Sequence, residues 1–212
     1  MNCGQLVIRS WRTLLLACAF GSSLLGAANA SAAGGNYLFA GGTGAEQAQV
    51  RSALNASAFD WSLVPTRVTI HIQRGIMTSH ATPGEIWLDA DLLDAGQFSW
   101  GTVQMEYAHQ VHFYLLDDQQ RSTLTTALGA QAWCWEKPGV AHGDNGCERF
   151  SATLAWAFWP SPANALLPAS QSDESASMAP AAFRALITTT LGVPDPLART
   201  LAGRLPTRRG AR

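Results

Sequence analysis

The sequence predicts an α+β domain, with a short sheet early in the chain and a mainly helical C-terminal half. Three observations carry that prediction. Arg67-Val-Thr-Ile-His-Ile-Gln73 alternates apolar and polar residues, the period of a strand with one buried face. Thr102 to Leu116 repeats at helical spacing instead, placing Met105, His109, His112 and Leu116 within a stripe of roughly 60°. From Asp117 onward every periodic segment reads as a helix with its own start and stop signals.

At the amino end, Arg9 and Arg12 precede an apolar run from Leu14 to Leu25, and Ala28-Asn29-Ala30 follows. A short basic region, a short hydrophobic region and a small-x-small site make residues 1–30 a signal peptide, too short to span a bilayer comfortably. Ala30-Ser31-Ala32 offers a second cleavage position. The expected destination is the outside of the cell or its envelope. Leu16-Ala17-Cys18 is a weaker, lipoprotein-like pattern with few apolar residues ahead of it. Residues 31–195 then form one domain, large enough for a single core. Residues 196–212, with Arg199, Arg204, Arg208, Arg209 and Arg212, read as a disordered basic tail. A net charge of −1 gives no whole-chain attraction to nucleic acid. No stretch after the signal is long and apolar enough for a membrane span.

Ser31 to Gly44 is rich in Gly, Ala and Thr and reads as a loose arm. Ala45 to Ala58 reads as a helix on Val50, Ala53, Leu54 and Ala58. In the strand that follows, Val68, Ile70 and Ile72 face the core and His71 faces solvent. Arg74 to Gly84, with His80 and Pro83, reads as a turn region, and Glu85 to Asp89 as a second strand with Ile86 and Leu88 opposite Trp87. Asp91 to Ala95 adds a helical turn. Ser99 or Thr102 is the expected cap of the helix through Met105 and His112. Asp117 with Gln120 has capping-box spacing and starts a helix that runs to Leu128 and stops at Gly129.

Ala130 to Gly146 is a loop with Trp133, Cys134, Trp135, Pro138, His142 and Asp144. A loop this long is functional or pinned down. Cys134 and Cys147 are the two cysteines that outlast the signal peptide, and in an exported chain an even pair reads as a disulfide. Cys147 to Trp159 is a helix on Phe150, Leu154, Ala157 and Phe158, ended by Pro160. Pro160 to Ser177 is a polar connection. Pro180, the apolar face of Phe183, Leu186 and Ile187, and then Gly192 and Pro194 mark the last helix.

Met105-Glu106-Tyr107-Ala108-His109 resembles the His-Glu-x-x-His helix of the zincin metallopeptidases, with Met105 where the first histidine belongs. Cys147-Glu148-Arg149-Phe150-Ser151-Ala152 resembles the second metal helix of the gluzincins, whose third ligand is a glutamate. The resemblance covers Thr102 to Trp159. It implies a small zincin-like domain in which a sheet covers the motif helix and its edge strand lines a substrate cleft. It further implies zinc held by His109 and Glu148, Glu106 as general base, and a peptide or protein substrate.

Met105 offers a neutral thioether, a poor zinc donor. The departure predicts weak or absent zinc in the natural chain, and puts catalysis in question. Two other readings stand beside the enzyme. One is a non-catalytic descendant that binds peptide, or another partner, in the old cleft. The other is a shifted site of His109, His112 and Glu148. Each site residue also has a plainer reading. Glu148 has capping-box spacing from Asn145, His109 and His112 fit as satisfied core histidines, and Met105 fits as core filling. His142 and Asp144 could orient a ligand or substrate from the loop, or simply be solvated there.

Overall fold

The computed structural model describes residues 34–198. The expected signal peptide, Cys18 and most of the basic tail lie outside the described residues. Within them the elements run β1 (Tyr37–Gly41), α1 (Gly44–Ala56), β2 (Val68–Gln73), β3 (His80–Thr82), β4 (Glu85–Asp89) and α2 (Ala90–Leu93). The chain then becomes helical through α3 (Trp100–Leu115), α4 (Asp118–Ala127), α5 (Gly146–Phe158) and α6 (Pro180–Leu191). The architecture is α+β with a mainly helical C-terminal half.

The sheet has the order β1-β2-β4-β3. β1 and β4 flank β2 in parallel, and β3 closes the edge antiparallel to β4. Val68, Ile70 and Ile72 of β2 and Ile86 and Leu88 of β4 are buried, as their alternation requires. They share one apolar core with Val50 and Leu54 of α1 and with Val103, Tyr107 and Val111 of α3.

Two strands depart from the sequence reading. The arm expected to be loose contains β1, because Tyr37 and Phe39 pack edge to face at 5.3 Å and join the core margin. Its glycines serve the strand's end: at Gly42, with φ +75°, a Cβ would lie 2.8 Å from Ile72 Cβ. Residues 80–82 of the expected turn region form β3, paired to β4 through a two-residue Pro83-Gly84 turn. His71, expected in solvent, is half-buried. Its ring stacks on Trp87 at 4.9 Å and 7°, and His80 stacks on the same indole at the same distance.

The helix α3 is buried along nearly its whole length, not on one stripe. It lies between the sheet and α1 on one side and α5 on the other, so even Gln104, Glu106, Gln110 and His112 are enclosed. Buried polar groups need partners. Gln104 donates to the Ala53 carbonyl, and Gln110 accepts from Gly84 N while donating to the Thr82 and Glu85 carbonyls. Gln110 thereby ties the β3–β4 turn to the helix. Ser99 sits at the N-cap position, but its hydroxyl donates back to Gly96 O and caps nothing. The helix instead grows out of a preceding 3-10 turn, Gly96–Ser99.

In the second half, Asp117 and Gln120 form the expected capping box of α4. Cys134 and Cys147 are joined in a disulfide that ties the long loop to the first turn of α5. α6 packs on α5, with Phe150 against Phe183 at 5.8 Å, and ends at Gly192 in the left-handed conformation.

Candidate functional site

A cleft of about 670 Å³ opens between β3, α3, the start of α5 and the long loop. α3 presents Met105, Glu106 and His109 to it, one helical turn separating the first and last. The first turn of α5 presents Glu148 from the opposite wall. A smaller cavity of about 480 Å³, lined by Phe59, Leu63, Phe158 and Ile187 among others, holds no comparable cluster of titratable groups.

His109 Nε2 lies 3.4 Å from Glu148 Oε2, so the two helices bring their expected ligands side by side. Glu148 is 4% exposed and does not cap its helix. The Asn145 side chain is engaged elsewhere, accepting from Trp135 N and donating to the Ala141 and His142 carbonyls. Met105, at the cleft wall, packs with Ala152 and Ala155 of α5, the role that its chemistry favours.

Glu106 is 6% exposed and, among the described residues, makes no hydrogen bond. Burial and the neighbouring Glu148 push its pKa up to about 7, while His109 and His142 pull the other way. A carboxyl with that pKa accepts and releases protons near neutrality.

His112 stands behind His109, not beside it. Its Nε2 meets His109 Nδ1 at 2.9 Å, on the side of the ring away from Glu148. The two nitrogens of His109 thus face different partners, Nδ1 toward His112 and Nε2 toward Glu148. Burial, His109 and Arg121 hold the His112 pKa well below its usual value, which favours the neutral ring. In that state it can fix the tautomer of His109.

The two loop residues part company. Asp144 turns away, pairing with Arg149 Nη2 at 2.7 Å and accepting from Gln131. His142 turns in, with Nε2 3.4 Å from Glu148 Oε2 and Nδ1 2.9 Å from Glu174 Oε1. Burial works against its charge, but the hydrogen bond to Glu174 and the carboxylates Glu148, Glu174 and Glu106 raise its pKa overall. Glu174 was invisible as a site residue in the sequence. It lies in a Ser-rich connection, in the 3-10 turn Glu174–Ala176, and only the packing of that turn on α5 delivers it.

The rim is apolar. Met77 and Trp135 are both exposed and both line the cleft, and both hold the left-handed backbone conformation at φ 66° and 56°. Non-glycine residues occupy that region only where surrounding structure enforces it, a pattern that clusters at ligand sites. Comparison with models of known families, with curated proteins and with solved structures finds no match to this chain.

Proposed function

We propose that this chain is an exported, zincin-like metallopeptidase whose cleft cuts extended peptides, with an altered set of metal donors. The observation that carries the reading is Glu106. A buried carboxylate without a hydrogen-bond partner sits one helical turn from an imidazole that faces a second buried carboxylate across the cleft. Leaving a charge so placed is costly unless it serves chemistry.

Zinc takes imidazole and carboxylate donors, and His109 and Glu148 fit it. Met105 does not, since its thioether is a soft donor and the residue packs with two alanines of α5. When bound, a divalent ion supplies Lewis-acid polarisation of the scissile carbonyl and lowers the pKa of water. The residues of the chain do the rest. Glu106 takes the proton of the attacking water and passes it to the departing amine. β3 is an edge strand whose residues line the cleft, so an extended substrate can pair with its backbone. Met77 and Trp135 offer apolar contact to side chains flanking the cut.

The packing of Met105 favours a second reading, a non-catalytic cleft that holds a peptide on β3 without cutting it. An assay on an unstructured apolar-rich peptide, with zinc-supplemented protein and Glu106→Gln in parallel, separates the two. The enzyme reading expects cleavage that Glu106→Gln reduces by at least about 100-fold, in line with the usual contribution of a general base. Peptide binding without cleavage, equal in both proteins, would transfer the conclusion to the second reading.

A further inference from the structure

We propose that His112, Cys134 and Cys147 form a zinc site, separate from the cleft pair of His109 and Glu148, that opens when the disulfide is reduced. One ring nitrogen of His112 and the two sulfurs lie within 4.8 Å of one another. Two thiolates on one tetrahedral zinc, at about 2.3 Å each, stand roughly 3.8 Å apart, and a thiolate and an imidazole nitrogen stand roughly 3.6 Å apart. The Cα atoms of the two cysteines are 5.5 Å apart, so rotation about the Cα–Cβ bonds is enough to part the sulfurs that far.

His112 supplies the observation that points to a ligand. It is 1% exposed and walled by the rings of Phe113 at 4.3 Å, Trp133 at 5.6 Å and Phe150 at 6.2 Å. Its Nε2 meets His109 Nδ1 at 2.9 Å, while its Nδ1 is buried with no hydrogen-bond partner among the described residues. A polar atom left so is costly, and a bond to an ion removes the cost. The contact at Nε2 steadies the ring and leaves Nδ1 to offer.

The backbone joins the two cysteine segments without help from the sulfurs, so reduction leaves the thiols side by side. Gly146 N donates to Ala132 O at 2.8 Å, Cys147 N to Trp133 O at 2.9 Å, and Gln131 N to Asp144 O at 2.9 Å. Cys134 is half-buried and lines the cleft, which gives a reductant access to its sulfur, whereas Cys147 is 1% exposed. The reductant is a small dithiol. One of its thiolates attacks Cys134 Sγ, the Sγ–Sγ bond breaks, and Cys147 leaves as a thiolate. The second thiol closes on the first, so that Cys134 is freed as a thiolate and the dithiol departs as its own disulfide. Zinc takes both thiolates, the two protons of the dithiol pass to water, and His112 completes a Cys2His set with the fourth position for water. In oxidising surroundings the bridge is the resting form.

The test is a titration of the full chain with cobalt and then zinc, after reduction by a dithiol and desalting under nitrogen, beside the disulfide-intact protein. The reduced chain should develop a thiolate-to-cobalt charge-transfer band that saturates at one equivalent, is displaced by zinc and is absent from the intact protein. Zinc should raise the melting temperature of the reduced chain, since the ion binds only the folded form. His112→Asn, its fold checked with the bridge intact, should weaken cobalt binding by more than the ~10-fold that loss of an outer partner alone costs. X-ray absorption at the zinc edge of the reduced natural chain should count two sulfurs and at least one imidazole, a readout that needs no variant. No charge-transfer band, or no rise in melting temperature with zinc, would overturn the site. Sulfur donors without imidazole, or a band of equal affinity in His112→Asn, would overturn the assignment of His112. Zinc held by nitrogen and oxygen alone would overturn the thiol site and leave the cleft pair standing.

Discussion

Glu106 lines the cleft as a buried acid whose charge His109 and His142 offset only in part. Its pKa, about 7 against an ordinary 4.5, means that the folded protein holds the proton more tightly than the unfolded chain. Stability therefore falls as pH rises from about 4.5 to about 7, and the full penalty, about 3 kcal/mol at most, applies above that window. In metal-free protein, Glu106→Gln should raise the unfolding free energy by up to that amount at pH 8 and leave it unchanged near pH 4. Urea denaturation at the two pH values measures it, and equal stability of both proteins at pH 8 would show that the charge is compensated after all. The spacing of Glu106 and His109 made both legible as site residues. His112 was legible as a member of the same stripe, but not as a partner behind His109, because helical spacing fixes a side chain's direction only to within a turn. Glu174 carried no local signal at all, since only tertiary folding brings a residue of the Ser-rich connection to α5.

At the scale of elements, the site is the contact between α3 and α5, and two features control it. Gly101 is the second residue of α3, and a Cβ there would lie 1.9 Å from Asn164 Oδ1. Asn164 is itself committed, donating to the Trp159 carbonyl and accepting from Leu166 N, so it cannot easily retreat. Gly101→Ala should cost about 1–3 kcal/mol despite the better helix propensity of alanine, visible as a lowered melting temperature. The second feature is the Cys134–Cys147 bridge. Replacing both cysteines with serine should lower stability by about 2–4 kcal/mol, as expected for a loop of this size. If the bridge also steadies the start of α5, where Glu148 follows Cys147, zinc affinity should fall in the double variant even at temperatures where it remains folded. The helices and this bridge were readable because periodicity, caps and cysteine parity are local signals. β1 and β3 were not, because glycines flank one and the other is only three residues long. Their pairing is decided by β2 and β4.

For the whole molecule, the expected export makes a simple claim about mass. Protein recovered from outside the cell should begin at Ser31 or Ala33, and alkylation without reductant should add nothing if both remaining cysteines are bridged. A start at Met1 would remove the cleaved signal peptide. The order of the sheet bears on how such a chain folds. β3 and β4 meet through a two-residue turn, whereas β1 can pair with β2 only after α1 has been made and laid across. Contacts of low sequence separation form first, and a parallel crossover pays its loop closure before its ladder gives anything back. The cleft side of the sheet therefore assembles ahead of the opposite edge. β1 is the strand that docks last and lets go first, and native-state hydrogen exchange should find its amides opening while those of β2 and β4 are still protected.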